Sequence, residues 1–238
     1  MVPIGKGGKL MIQNIFMTAC YDVGFGYGNT NYEDYKKLTQ ICCNSFIKNL
    51  NGLTEVTVLE GKAENFHILF KDLYYRIKDI YILNQPCNIL FADSDTICLK
   101  PVEIFGKFNK FSMFLIANEF HQSFGNEECR KLAQPLYPWM MANLRYYPAG
   151  LPNSIWDTPD DLAFSWIDDW AYDCIIYNSM FHSQGIENYN DYHIPEWNRL
   201  VIGGITDEQI NNSSIIHCAA TRGSSLSLEN INKALGRS

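Results

Sequence analysis

The sequence predicts an α/β fold: a single Rossmann-like domain with a mainly parallel central sheet flanked by helices. Strand-like and helix-like segments alternate from Ile12 to Ala92, and such alternation is typical of a parallel sheet covered on both faces. The chain has 238 residues, of which 47% are apolar, so it can fill one large core. We therefore expect one domain over residues 1–238, with a loose leader at 1–10 and a C-terminal tail at 224–238.

The first strand and helix are predicted from an apolar run and a helical period. Ile12 to Cys20 is apolar and suits a buried strand, whereas the Gly-rich stretch Tyr21 to Thr30 predicts a loop. From Asn31, which can cap a helix, the period becomes helical and ends near Asn51-Gly52. Its apolar positions are Tyr35, Leu38, Cys42, Phe46 and Leu50.

The next elements continue the alternation. Thr54 to Leu59 has a β-branched strand pattern, Phe66 to Leu83 a helical one, and Asn88 to Ala92 is a short buried strand. Residues 126–153 are aromatic and Pro-rich and receive no assignment. Three later elements are predicted: a strand at Ser112 to Asn118, a long helix at Asp160 to Ser183, and a final strand at Ser214 to Cys218.

Charge, hydropathy and cysteine usage exclude several classes of partner. The formal net charge is −7, and no block of Lys and Arg is present, which argues against binding to nucleic acid or an anionic membrane. No apolar run reaches the roughly 18 residues of a membrane span, and no signal peptide is recognisable. The eight cysteines show no CxxC spacing, which favours reduced, buried thiols. We expect a soluble, cytoplasmic protein.

Two carboxylates mark the end of the strand Asn88 to Ala92. Residues i and i+2 of an extended chain point to the same side, so Asp93 and Asp95 present like charges at the edge where open α/β sheets bind ligands. A hard divalent cation compensates such a pair well. The alternative is that one Asp caps a turn and the other is simply solvated, and the spacing by itself leaves both interpretations open.

The segment from Ile89 to Phe105, ILFADSDTICLKPVEIF, resembles the DxD strand of family-eight glycosyltransferases. This is the glycogenin and galactosyltransferase-like group, which has the A-type nucleotide-sugar transferase fold. Further stretches resemble that family's motifs in its order: Ile15 to Asp22, Asp173 to Asn178, Ile194 to Asn198 and Ile215 to His217. The resemblance extends from Ile12 to about Gly223 and is loose outside these motifs.

The resemblance implies roles for individual residues. His217 would complete a metal shell with Asp93 and Asp95, and this mixture of nitrogen and oxygen ligands suits Mn²⁺ better than the alternative, Mg²⁺. Asp173 and Asn178 would position donor or acceptor hydroxyls in catalysis. The nucleotide would contact residues of the first strand and of the DxD turn, namely Thr18, Ala19, Tyr21 and Ser94.

Basic residues near the diphosphate differ from the family pattern. The family has a Gly and then Lys-Pro-Trp after the histidine, where this chain has Cys218 to Gly223, so Arg222 would replace the lysine with a different reach. Before the DxD strand, Lys78 is the preferred basic residue and Arg76 competes with it. A solvated helix face is the alternative role for Lys78.

The function implied is metal-dependent transfer of a sugar from a nucleoside-diphosphate sugar, by resemblance a UDP-sugar, to an acceptor hydroxyl of a carbohydrate or other molecule. By resemblance the anomeric configuration is retained. A sugar nucleotidyltransferase is one alternative, but the loop between Tyr21 and Glu33 holds none of the Lys or Arg typical of that class. A nucleotide-sugar-binding protein without turnover is the other.

Overall fold

The computed structural model describes nine stretches of the chain: 11–23, 31–114, 144–158, 176–177, 179–180, 183–185, 199–201, 203–219 and 224–236. Its strands are β1 (Gln13–Val23), β2 (Glu55–Ala63), β3 (Cys87–Ala92), β4 (Thr96–Cys98), β5 (Ser112–Phe114), β6 (Leu144–Tyr147), β7 (Arg199–Val201) and β8 (Ile215–Cys218). Its α-helices are α1 (Tyr32–Asn49), α2 (Phe66–Leu83), α3 (Asp207–Asn211) and α4 (Ser224–Ala234).

The main sheet has five strands in the order β2-β1-β3-β6-β5. Strand β1 pairs in parallel with both β2 and β3. Strand β6 pairs antiparallel with β3 and with β5, so β6 alone among these five runs against the others. The predicted fold class, an α/β fold with a mainly parallel central sheet flanked by helices, is therefore confirmed.

Alternating side chains of β1 and β3 build a core on each face of the sheet. Ile15 and Phe91 belong to the core beneath α2, whereas Phe16 and Leu90 belong to the core beneath α1. All six residues of β3 are buried, as expected for a strand covered on both faces. This burial places the carboxyl end of β3, and the acidic residues after it, between two packed layers.

The helices begin where their capping residues predict. The Asn31 side chain accepts a hydrogen bond from the Glu33 backbone N–H, and the Asn65 side chain accepts one from Ile68. These caps satisfy donors that the first turn of a helix leaves without partners. The predicted helix Phe66 to Leu83 is confirmed at both ends.

Strand β1 is longer than predicted. Its parallel pairing with β2 continues to Val23 opposite Ala63, so Tyr21, Asp22 and Val23 belong to the strand and not to the predicted loop. The same pairing extends β2 beyond the predicted end at Leu59. Backbone hydrogen bonding between neighbouring strands, which side-chain patterns do not report, sets both ends.

A smaller sheet of three strands, in the order β4-β8-β7, lies beyond the DxD turn. Strand β8, which was predicted, pairs antiparallel with β4 and in parallel with β7. Residues 224–234 form helix α4, and the Ser224 hydroxyl accepts a hydrogen bond of 3.0 Å from the Asn31 backbone N–H. The start of α4 is thereby attached to the start of α1.

Other predicted elements are described in part. Of the predicted strand Ser112 to Asn118, residues 112–114 form β5 and the remainder lies outside the described residues. Of the predicted helix Asp160 to Ser183, the five described residues from Ile176 onward are helical. The six described cysteines are free thiols. None of the helices in the described part of the chain combines the length and apolar character that a membrane crossing requires.

Candidate metal centre

Backbone hydrogen bonds and strand pairing bring the DxD turn, Asp93 to Asp95, next to β8. After β3 the chain turns, and the Thr96 N–H donates a hydrogen bond of 3.0 Å to the Asp93 carbonyl. Strand β4 then pairs with β8, with Thr96 opposite His217, and the Cys218 N–H donates to the Asp95 carbonyl at 2.9 Å. The imidazole is thus held beside the acidic pair although some 120 residues separate them in sequence.

The three predicted metal ligands converge. One ligand atom from each of Asp93, Asp95 and His217 lies within 4.8 Å of the other two. The closest pair is His217 Nε2 and Asp95 Oδ1, which are 3.0 Å apart. Asp95 and His217 are both 7% exposed, while Asp93 is half-buried. The cluster is therefore enclosed on most sides and open near Asp93.

The electrostatics of the cluster favour a positive charge beside His217. Burial by itself would lower the pKa of the imidazole, but the Asp95 carboxylate, followed by Asp93, outweighs burial and raises it. Arg145 acts in the opposite sense. Because both acids stabilise a cation at this point, a proton and a metal ion compete for the same place.

The residues present fit a divalent cation. The cluster supplies carboxylate oxygens and one imidazole nitrogen, a donor set that suits Mn²⁺ and related ions. His217 Nδ1 is buried and has no hydrogen-bond partner in the described part of the chain, so the imidazole is not part of a closed hydrogen-bond network. A closed hydrogen-bond network would have explained the buried imidazole without a metal ion.

Residues predicted to contact the nucleotide differ in their exposure. Thr18 is fully buried and Ser94 is 7% exposed, while Ala19 is half-buried. The Cys42 thiol lies 3.7 Å from the Asp93 carbonyl and donates to it. Ser94 lies in the turn between Asp93 and Asp95. Thr18 lies within strand β1 and is less exposed than Ser94.

A polar cluster at the carboxyl end of β1 contains Tyr21, Asp72 and Arg76. The Tyr21 hydroxyl donates to Asp72 Oδ2, and Arg76 Nη1 donates to the Tyr21 hydroxyl at 2.9 Å and to the Glu60 carbonyl at 2.7 Å. Burial, then the hydrogen bond to Asp72, raises the pKa of Tyr21 to about 12, so this phenol stays protonated.

The same cluster distinguishes Arg76 from Lys78, the two basic residues of α2 considered for the diphosphate. Arg76 contacts Tyr21, which is predicted to lie near the nucleotide, whereas the Lys78 ammonium lies 5.8 Å from the Tyr74 ring centroid and 5.9 Å from that of Tyr75. The sequence predicted Lys78, with Arg76 as the alternative, as the basic residue near the diphosphate. The structure shows Arg76, the competing residue, in contact with Tyr21.

Gly61 provides a test of how tightly the Tyr21 ring is held. A Cβ at Gly61 would lie 2.4 Å from the Tyr21 ring, which is closer than atoms can approach. We expect Gly61→Ala to displace the ring, to break its hydrogen bonds with Asp72 and Arg76, and to lower the free energy of unfolding by about 1–3 kcal/mol in denaturant titrations.

Gly204→Ala is the matched control, because a Cβ at Gly204 would meet nothing within 4 Å. It should change the free energy of unfolding by less than about 0.5 kcal/mol. Equal stability of the two variants would contradict a tightly held Tyr21 ring.

Arg145 is a buried cation near the centre that sequence reasoning did not identify. It lies on β6, is 3% exposed, and its guanidinium lies 3.9 Å from the Tyr177 ring centroid and 5.2 Å from that of Phe91. Its positive charge lowers the pKa of His217. The sequence did contain a signal, because Arg145 is a charged residue within an apolar segment. No strand or helix was predicted for residues 126–153, however, so Arg145 could not be placed in the fold.

This chain is similar to known proteins in its fold and not detectably in its sequence. No family model matches this sequence, and no curated protein sequence matches it. Among solved structures, the chain is similar to the apo structure of the bifunctional glycosyltransferase WbbM, with a TM-score of 0.58 and 13% sequence identity. The match covers 95% of this chain and 51% of that one, so the chain spans about half the length of that protein. This chain has a glycosyltransferase-like fold.

The glycosyltransferase-like fold is established at this coarse level, and family eight in particular stays a prediction. In this fold the acidic cluster lies just past the carboxyl end of β3, the edge at which open α/β sheets bind ligands. Four further predicted residues or segments lie outside the described residues: Asp173, Asn178, residues 194–198 and Arg222.

Proposed function

We propose that this chain is a metal-dependent glycosyltransferase that transfers a sugar from a UDP-sugar to an acceptor hydroxyl, with retention of the anomeric configuration. The observation that carries the proposal is the convergence of Asp93, Asp95 and His217 within 4.8 Å, in a chain of glycosyltransferase-like fold. The choice of UDP and the retention of configuration follow from the family-eight resemblance of the sequence.

The reaction breaks the bond between the anomeric carbon and the β-phosphate oxygen and forms one to the acceptor oxygen, whose proton is lost. A divalent cation, Mn²⁺ in preference to Mg²⁺, would stabilise the charge that develops on the departing diphosphate. Asp93, Asp95 and His217 would hold that cation. Backbone hydrogen bonds of Asp93 and Asp95 hold the chain that carries the two carboxylates, so little reorganisation of the backbone would be needed on binding.

The remaining residues divide between the nucleotide and the sugar. The phosphates would be bound by positively charged side chains: Arg76, which contacts Tyr21, Lys78 and Arg222. Asp173 and Asn178 would bind donor or acceptor hydroxyls. The nucleotide would lie along the carboxyl end of β1 and over the DxD turn, next to the residues predicted for it: Thr18, Ala19, Tyr21 and Ser94.

Release of UDP from a panel of UDP-sugars tests the proposal. With a hydroxyl acceptor or water present, we expect one UDP-sugar to yield UDP in the presence of Mn²⁺ and at least about tenfold less UDP after chelation. Addition of excess Mn²⁺ to the chelated sample is the control, and it should restore the activity.

Two other results would point elsewhere. Binding of UDP with Mn²⁺, without release from any sugar, would identify a binding protein without turnover, a result compatible with the departures after His217. Release of pyrophosphate from a nucleoside triphosphate would identify a nucleotidyltransferase.

A further inference from the structure

Strand β4, which begins immediately after Asp95, has one edge that no strand in the described ranges of the chain covers. It is the outer strand of the order β4-β8-β7. Beside its other edge, β8 is bonded to the chain at both ends of β4: the Leu99 N–H donates to the Ser214 carbonyl at 2.7 Å, and the Asp95 carbonyl accepts from the Cys218 N–H. Cys98 directs its own N–H and C=O away from β8 and is fully buried. Buried backbone groups of this kind need hydrogen-bond partners.

Polar side chains of α1 supply those partners. The Ser45 hydroxyl accepts a hydrogen bond of 2.9 Å from the Cys98 N–H, and the Asn49 side-chain amide donates one of 2.7 Å to the Cys98 carbonyl. The Ser45 hydroxyl also donates to the Cys42 carbonyl at 2.7 Å. Helix α1 therefore takes the place of a further strand along this edge of β4.

The same face of α1 holds the chain before and after β4. Cys42, Ser45 and Asn49 follow one another at spacings of three and four residues, so they share one side of the helix, and all three are buried. The Cys42 thiol donates to the Asp93 carbonyl at 3.7 Å, and the Asn49 carbonyl accepts from the Val102 N–H at 2.8 Å. The segment from Asp93 to Val102 is thus fixed to α1 at its start, within β4 and at its end.

The position of β4 sets the positions of two residues of the metal cluster. Asp95 directly precedes β4, and Thr96 in β4 lies opposite His217 in β8. A displacement of β4 would therefore move the Asp95 carboxylate relative to the imidazole that lies 3.0 Å from it. Cation binding is sensitive to such a displacement, because the ligand atoms must meet the ion within narrow limits of distance.

We propose that Ser45 and Asn49 are positioning residues for the metal centre, which act through Cys98 and β4 to hold Asp95 and His217 in place for a divalent cation. The inference rests on the proposed function, because it needs a cation at this cluster. The apolar period that predicted α1 includes neither Ser45 nor Asn49. Groups that orient metal ligands without touching the ion are worth about 10- to 100-fold in metal affinity.

Titration of the full chain with Mn²⁺ alone, followed by the electron paramagnetic resonance of the free ion, tests the inference without a nucleotide. Asn49→Ala should weaken Mn²⁺ binding by about tenfold, because the Cys98 carbonyl loses its partner and β4 is held less firmly. Ser45→Ala removes one hydroxyl and places a good helix former in α1. It should weaken Mn²⁺ binding by about threefold, as expected for the loss of one hydrogen bond.

Asn230→Ala is the matched control. Asn230 lies in α4, is buried as Asn49 is, and also holds the backbone of another segment with its side chain. It donates to the Gly203 carbonyl at 2.6 Å and accepts from the Ile205 N–H at 2.9 Å. Asn230→Ala should lower the melting temperature, as Asn49→Ala does, but should leave Mn²⁺ affinity unchanged.

Each contrary outcome has a separate meaning. Wild-type Mn²⁺ affinity of Asn49→Ala would overturn the inference and leave the proposed function standing, and if that variant does not fold, the affinity of Ser45→Ala decides in the same way. Equal weakening by Asn49→Ala and Asn230→Ala would also overturn the inference, because a general loss of stability would then explain the effect. Failure of the wild-type protein to bind Mn²⁺ would overturn both the inference and the proposed function.

Discussion

Asp95→Ala is expected to abolish Mn²⁺-dependent binding of UDP. The side chain supplies one of three converging ligand atoms and bonds the imidazole of a second ligand at 3.0 Å. Outer-shell partners of metal sites are worth about 10- to 100-fold in affinity, so loss of a ligand itself should cost more than about 100-fold. Calorimetry with UDP, in the presence and absence of Mn²⁺, measures the change.

The fold should survive this substitution. The turn is held by backbone bonds, from Thr96 N–H to the Asp93 carbonyl and from Cys218 N–H to the Asp95 carbonyl, and neither needs the carboxylate. Circular dichroism should therefore be unchanged. Asp79→Ala, which removes an exposed carboxylate from α2, is the matched control and should bind UDP as the wild type does. Equal affinities of the wild type and Asp95→Ala would end the metal-site assignment.

Trp156→Ala is expected to have the largest effect on stability. The indole is fully buried, and it stacks on the Tyr147 ring at 5.5 Å between centroids with an interplanar angle of 7°. The rings of Tyr74 and Tyr81 also pack against it, at 5.9 Å and 5.5 Å. Loss of such a side chain costs about 3–5 kcal/mol, which lowers the melting temperature of a domain of this size by roughly 6–20 °C.

Trp156→Phe separates ring packing from the indole N–H. The Trp156 Nε1 atom is buried without a hydrogen-bond partner in the described part of the chain, so phenylalanine keeps an aromatic ring there and removes an unsatisfied donor. We expect it to cost less than half as much as Trp156→Ala. Leu83→Ala, at a side chain 80% exposed, is the surface control and should change stability by less than about 0.5 kcal/mol. A greater loss for Trp156→Phe than for Trp156→Ala would contradict this account.

The cluster of Asp93, Asp95 and His217 could be predicted because these residues lie next to or within strongly patterned strands. Asp93 and Asp95 follow a strand that is buried at every position, and His217 lies in β8, an apolar strand also buried throughout. The spacing of the acids left a turn cap as an alternative, and the family resemblance supplied the histidine. The structure brings the imidazole to the acidic pair, which is the arrangement that a metal site requires.

Short strands and tertiary contacts were beyond sequence reasoning. Strands β4 and β7 have three residues each, too few to show a period, and they form because β8 pairs with them. Strand β6 contains the buried cation Arg145, and a charge in the middle of a strand obscures the apolar pattern.

What the sequence by itself determined was the local order of the chain: β1, α1, β2, α2 and β3, the Asn31 cap of α1, and the acidic pair after β3. These features depend on interactions between residues close in sequence, on backbone propensity and on the period of apolar side chains. Only the tertiary structure decided which distant groups meet, including His217 with Asp95, Arg76 with Tyr21, and α4 with α1. Such contacts form because strand pairing and core packing join segments whose separation in the chain carries no record of their proximity in space.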